Sequence, residues 1–485
     1  MKYAEILFDQ KVGKSTAILS YSYQEKLNIT EGDIVEVPLR NRTKLGLVWK
    51  TDVGKPNFKT KEVLKKAYES PLLSKNQIKL MQWMSKFYIC PLNKIIKSFV
   101  AKNILSGTKA RKKKKEERKV DQKNRTILKP TERQKTIIDG IIKDKKNKFL
   151  IQGVTGSGKT EIYLQIAKEY LNKNKQVIIL VPEISLTPQT IKYFEDGLDL
   201  DAEVLNSSIT PAQKRLSWER ISQGESQLII GSRSAIFAPA KNLGLIVIDE
   251  EHDNSYKQDS SPRYKTHEVI DKILELNPDI KAVFGSATPS VESSEKLKDS
   301  TLKLDERINS TPLPQVEVVD LRDEFKKRNY SIFSDKLREE LENCLKNKEQ
   351  AILFINRRGH ASSIVCRDCG YKETCEHCQT PLTYHEKTLS KPSLICHHCG
   401  KISKPKIKCP ECNGPNIRFL GIGTQRIIQE LKKEFPEAKT LRADKDSTSR
   451  KGAFKKIYQD FKAQKADILV GTQMIAKGLH LPKVS

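Results

Sequence analysis

Long apolar runs are missing from this sequence. No stretch approaches the roughly 18 consecutive apolar residues of a membrane span, and the opening MKYAEILFDQ has no apolar core of the kind a secretion signal carries. The expectation is a cytoplasmic protein with no membrane partner. Cysteine is nearly absent outside one short window, because eight of the ten fall between residues 366 and 412 and only Cys90 and Cys344 stand apart. In a reducing compartment such crowding argues for metal and against disulfides. Acidic residues are in short supply: 88 Lys and Arg face 60 Asp and Glu, a formal charge of +28. That balance suits a polyanionic partner, since each cation placed on a phosphate releases a condensed counterion. A Lys-rich surface can also be merely solvated, so charge alone does not decide.

What is present divides into blocks. The length of 485 residues suits roughly three domains. Residues 1–70 read as a small β domain, with DIVEVPL and KLGLVWK alternating in polarity around a turn at Asn41 to Lys44. From Leu73 to Ile104 the apolar spacing becomes helical and Pro91 splits it in two. The charged run KARKKKKEERKVDQKNR follows, so 71–128 is assigned as a helical region plus basic linker. Beyond Pro130, apolar runs such as FLIQG, VIILVPE and LIVIDEE alternate with amphipathic stretches, as buried parallel strands joined by helices do. A second such series begins at AILFINRRG. Two α/β lobes are implied, 129–312 and 313–362 with 417–485, and the cysteine-rich segment 363–416 is inserted in the second.

GVTGSGKT, residues 153–160, follows the strand KFLIQ and precedes the helical EIYLQIAKEYL. In that context it reads as a phosphate loop. The backbone of Gly153, Val154, Thr155, Gly156, Ser157 and Gly158 closes on phosphate oxygens, Lys159 reaches the β and γ phosphates, and Thr160 ligates Mg²⁺. ATP with Mg²⁺ is the expected ligand. In LIVIDEEHD, Asp249 at a strand end can hold the Mg²⁺ while Glu250 takes a proton from the attacking water. The four Cys-x-x-Cys units are Cys366/Cys369, Cys375/Cys378, Cys396/Cys399 and Cys409/Cys412. Two such units complete one tetrahedral Zn²⁺ site, so two zincs per chain are expected, with three ways to pair the units.

Four further segments carry a resemblance. VPEISLTPQ (181–189), GSRSAIFAP (231–239), DEEHDNSYKQ (249–258) and GSATPSVES (285–293) resemble the motifs of superfamily 2 DNA helicases in their replication-restart form. The resemblance implies a multidomain α/β fold with two RecA-like parallel-sheet lobes behind the small β domain, the second carrying the zinc module. It implies an ATP-dependent 3′ to 5′ helicase that recognises stalled forks and helps reload the replicative helicase. Branched and single-stranded DNA, single-strand-binding protein and primosome or helicase-loading proteins are the implied partners of a monomer. SYKQDSSPRY is similar to the family loop through which DNA switches on hydrolysis, so Tyr256, Lys257, Arg263 and Tyr264 are implied DNA contacts. Aromatic faces stack on bases while cations hold phosphate. Ser286, Ala287 and Thr288 are implied to couple DNA contact to nucleotide state, and Gln134 to touch adenine. The implied zinc pairing is nested: Cys366, Cys369, Cys409 and Cys412 on one metal, Cys375, Cys378, Cys396 and Cys399 on the other.

The family pattern also carries an arginine segment, Q-x-x-G-R-x-G-R, beyond GTQMIAKG, and this sequence stops at GLHLPKVS. Lobe two is therefore expected to be incomplete. The alternative reading is a truncated scaffold that binds forks but hydrolyses little, with Arg357 and Arg358 of NRRG as the first substitutes to consider.

Overall fold

The computed structural model describes all residues except 13–16, 107–129, 184–185, 208, 309–311, 313, 330, 357–362, 367, 386–392, 416, 421–423, 445–446, 449–451, 473–474 and 476–480. The chain forms two compact units, Met1–Leu313 and Pro314–Ser485.

The first unit opens with β1 (Lys2–Leu7), β2 (Ile18–Tyr23), β3 (Ile34–Leu39), β4 (Arg42–Lys50) and β5 (Lys65–Lys66), an antiparallel sheet in the order β2-β1-β4-β3-β5. The β3–β4 turn is tighter than the sequence reading: Leu39 pairs with Arg42, leaving Arg40 and Asn41 as the loop, with Arg40 at φ 54°. Helices α1 (Lys75–Phe87), α2 (Leu92–Phe99) and α3 (Lys102–Leu105) follow. Ser74 caps α1 reciprocally with Gln77, satisfying amides that the first turn leaves open.

The lobe then runs α4 (Glu132–Lys143), β6 (Lys148–Gly153), α5 (Lys159–Asn172), β7 (Gln176–Leu180), α6 (Pro188–Leu198), β8 (Glu203–Leu205), α7 (Pro211–Gln223), β9 (Leu228–Gly231), β10 (Leu243–Asp249), α8 (Thr266–Leu276), β11 (Lys281–Ser286), α9 (Val291–Lys296) and β12 (Thr301–Leu304). Among the described residues its seven strands are all parallel, in the order β12-β6-β11-β10-β7-β9-β8. Every residue of β7 and β9 is buried, which is why these segments read as unbroken apolar runs: helices cover both faces.

The helical region 71–105 does not stand apart. Met81, Ile95, Phe99 and Ile104 share one apolar cluster with Phe237, Ile248 and Phe284 of the lobe. Polar bonds fix the same contact: the Trp218 indole donates to Phe99 O at 2.7 Å, Tyr88 Oη to Glu268 at 2.6 Å and Tyr68 Oη to Glu219 at 2.7 Å.

The second unit contains α10 (Leu321–Lys326), α11 (Asp335–Lys346), β13 (Ala351–Phe354), β14 (Ser363–Cys366), β15 (Thr383–His385), β16 (Ser393–Ile395), β17 (Ile402–Ser403), β18 (Ile417–Leu420), α12 (Thr424–Glu434), β19 (Thr440–Ala443), α13 (Ala453–Lys462) and β20 (Ile468–Gly471). Among the described residues its parallel sheet has three strands, β13-β20-β19. Strands β14 and β18 pair antiparallel, and β15-β16-β17 form a small sheet between them in sequence. Among the described residues, no helix is long and apolar enough to cross a membrane.

Candidate nucleotide site and thiolate clusters

The loop 153–158 leaves the C-terminal end of β6 and enters α5, whose N-cap is Gly158. Gly156 and Gly158 sit at φ 83° and 81°, where side chains are strained. A Cβ on Gly158 would also lie 2.3 Å from Gln134 Nε2, so the position tolerates only glycine. Lys159 Nζ donates to Gly153 O at 2.7 Å, curling back over the loop. Burial lowers its pKa, and the charges of Glu250 and Asp249 pull it back up, which sets all three groups in one field. Asp249 ends β10. Burial, then the Glu250 charge, push its carboxyl up to about 6, while Tyr163 Oη donates to it at 3.1 Å. Glu250 adopts φ 48°, an uncommon conformation for a residue with a side chain. Ser157 Oγ is buried with no partner among the described residues. A glycine-bearing loop at a helix start, a lysine, two carboxylates and an orphaned hydroxyl fit a magnesium-bound nucleotide.

Gln134, the implied adenine contact, lies against the loop. Its Nε2 donates to Ser157 O at 3.2 Å and its Oε1 accepts from Thr131 N at 2.9 Å, so the amide braces the loop and caps α4. The aromatic loop departs from the sequence expectation. Tyr256 and Tyr264 are 1% and 3% exposed, which withdraws both rings from base stacking. Tyr256 Oη instead donates near the ends of β7 and β10, 3.1 Å from Leu180 O and 2.7 Å from Asp249 O. Tyr264 packs edge-on to Phe237 beneath the Arg233 guanidinium. Lys257 and Arg263 are exposed, as a phosphate contact requires. The rings are buried because a tyrosine beside an apolar strand end gains more from the core than from water. Arg357 and Arg358 lie outside the described residues.

Three groups escaped the sequence reading. Arg233 donates to the carbonyl of Ser255 at 2.6 Å and also bonds Lys257 O and Gln258, holding the loop from the neighbouring segment. His252 Nδ1 meets Ser286 Oγ at 2.7 Å, and Ser286 Oγ accepts from Thr288 N at 3.0 Å, joining the acidic strand end to 286–288. Glu251 accepts from His267 Nε2 (2.8 Å), Ser290 N (2.7 Å), Ser290 Oγ (3.2 Å) and Ser293 Oγ (2.7 Å). Burial acts to raise its pKa, but these donors win and hold it down at about 2. The only hint in the sequence is polar residues next to an apolar strand.

In the second unit the four Cys-x-x-Cys units adopt one turn. The amides of Gly370, Gln379, Gly400 and Asn413 donate back to the first cysteine of each unit, at 2.7 to 3.0 Å. All four residues have positive φ. The sulfurs gather as Cys366, Cys369, Cys409, Cys412 and as Cys375, Cys378, Cys396, Cys399, each group within 4.8 Å. This is the nested pairing. Separations of 3.6 Å for Cys366–Cys412, 3.5 Å for Cys369–Cys409 and 3.6 Å for Cys375–Cys399 approach the ~3.8 Å edge of a tetrahedron with ~2.3 Å metal–sulfur bonds. Each quartet could hold one metal.

Residues 131–297 match the DEAD/DEAH box helicase family, and residues 5–101 match a 3′ DNA-binding domain. The replication restart protein PriA of Rickettsia conorii is 36% identical over 472 residues, covering 96% of this chain and 71% of that protein. This chain belongs to the PriA family. PriA of Bacillus subtilis is 47% identical over 345 residues, which is 70% of this chain and 42% of that protein; the match to Synechocystis PriA also spans 42% of its length. The chain thus matches less than half the length of those two PriA proteins. A solved structure of RecG bound to a three-way DNA junction is 18% identical, with a TM-score of 0.41, over 74% of this chain and 38% of that one. In this member of the PriA family the helicase match spans α4 to α9 and so contains the whole loop, Asp249–His252 and 286–288. The 3′ DNA-binding match, residues 5–101, spans most of the β domain together with α1 and α2.

Proposed function

We propose that this chain is a DNA-dependent ATPase and 3′ to 5′ helicase that acts at stalled replication forks and promotes primosome assembly and reloading of the replicative helicase. The observation that carries the reading is the shared field of Lys159, Asp249 and Glu250 at the ends of parallel strands, tied by His252 to Ser286. Lys159 takes the β and γ phosphates, Thr160 and Asp249 hold Mg²⁺, and Glu250 accepts the proton of the attacking water. Bound Mg²⁺ supplies charge neutralisation on the phosphates. Gln134 acts on the nucleotide through the loop it braces.

Residues 1–70 would take the DNA end, 129–312 form the ATP-binding lobe, and 313–362 with 417–485 the second lobe. Lys257 and Arg263 hold DNA phosphate, and Ser286 and Thr288 relay that contact to the nucleotide. The module at 363–416 holds two structural zincs, since closed four-sulfur sites leave no open position for catalysis. Single-strand-binding protein and helicase-loading proteins are the proposed partners of a monomer.

The test is ATP hydrolysis with and without fork DNA, with strand displacement on substrates of either polarity. Lys159→Ala should abolish nucleotide binding and leave most DNA affinity. Hydrolysis indifferent to DNA would refute the DNA-dependent reading, and nucleotide binding unchanged in Lys159→Ala would refute the site.

A further inference from the structure

After β12 the chain runs along the phosphate loop. Val154 N donates to Leu304 O at 3.0 Å and Ile308 N to Gly156 O at 3.1 Å, so residues 304–308 are pinned to the loop at both ends. The Ile308 side chain closes on Gly158, with its Cδ1 2.5 Å from where a Cβ there would stand. Arg307 lies over Gly156, its Cγ 3.7 Å and Cδ 3.8 Å from the equivalent point on that glycine. Its Nε is buried without a hydrogen-bond partner among the described residues. Ser157, 3% exposed, presents an equally unpartnered Oγ in the same loop.

Two orphaned polar groups at one anion cradle point to a ligand that supplies acceptors to both. A buried guanidinium nitrogen without an acceptor is costly, and a planar fork of donors matches phosphate oxygens two at a time. We propose that Arg307 is a phosphate ligand of the nucleotide, contributed by the segment that follows β12 and positioned by the Ile308–Gly156 bond. The inference rests on the nucleotide-site reading above. Arg307 then supplies positive charge to the phosphates from within the first unit, in addition to Lys159.

Equilibrium binding of Mg-ATP, and its competition by inorganic tripolyphosphate, is measured on the full chain and on Arg307→Ala, Arg307→Lys and Lys159→Ala, with fork-DNA affinity as the check on folding. Arg307→Ala should weaken both ATP and tripolyphosphate by about tenfold or more, and Arg307→Lys should recover part of the loss because charge returns without the fork. Wild-type affinity for both ligands in Arg307→Ala overturns the proposal. Weakened ATP with unchanged tripolyphosphate also overturns it, placing the guanidinium on the nucleoside. The Lys159→Ala arm separates the two readings. If it loses nucleotide while Arg307→Ala does not, only the Arg307 assignment falls; if neither loses nucleotide, the site itself is wrong.

Discussion

Replacing Glu251 by glutamine isolates the buried network beside the acidic strand end. The carboxylate is 1% exposed and accepts from His267, the Ser290 amide and hydroxyl, and Ser293. A glutamine keeps one acceptor oxygen and turns an NH₂ group toward donors. About two of the four bonds are lost, each worth ~1.5–3 kcal/mol when the acceptor is charged, so the expected cost is about 3–6 kcal/mol. At roughly 2 °C per kcal/mol for a unit of this size, the unfolding midpoint of the first unit should fall by about 6–12 °C. DNA stimulation of hydrolysis should fall too, because Ser290 and Ser293 fasten the segment that follows 286–288. Ser293→Ala should cost about 1–2 kcal/mol alone and less than that on top of Glu251→Gln, since both remove the same bond. Thermal unfolding of the two single variants and the double variant, alongside ATPase assays, measures each quantity. A shift under about 2 °C with full stimulation would refute the reasoning.

Cys409→Ser should release one metal per chain and leave the second; metal content showing loss of both would contradict two separate quartets. Tyr256→Phe should cost about 1–2 kcal/mol of stability and leave DNA affinity nearly unchanged, because its hydroxyl bonds only backbone. Lys257→Ala or Arg263→Ala should each reduce the slope of log K against log salt by about 0.9, and an unchanged slope would remove that residue from the phosphate contacts. Gly285→Ala would place a Cβ 1.5 Å from Tyr163 Oη and force the ring off Asp249. It should cost about 1–3 kcal/mol in a melt and weaken Mg-nucleotide binding; wild-type values for both would show that the ring moves freely.

The sequence by itself determined the local chemistry. An apolar run followed by GVTGSGKT can only bury as a strand and then turn through glycines into a helix, because positive φ and close backbone approach exclude side chains there. Four Cys-x-x-Cys units likewise announce four equivalent turns, since the two sulfurs of each converge only if the next residue reverses the chain. Tertiary structure decided what each group faces. Tyr256 and Tyr264 look like base platforms in a linear reading, and only the placement of β7, β10 and Phe237 shows them buried. Gln134, Glu251 and Arg307 find their surroundings in residues 23, 39 and 151 positions away, Ser157, Ser290 and Gly156. Spacing along a chain reports period and turn, whereas burial and hydrogen-bond partners depend on segments that the parallel crossovers bring side by side, and no local pattern encodes those neighbours.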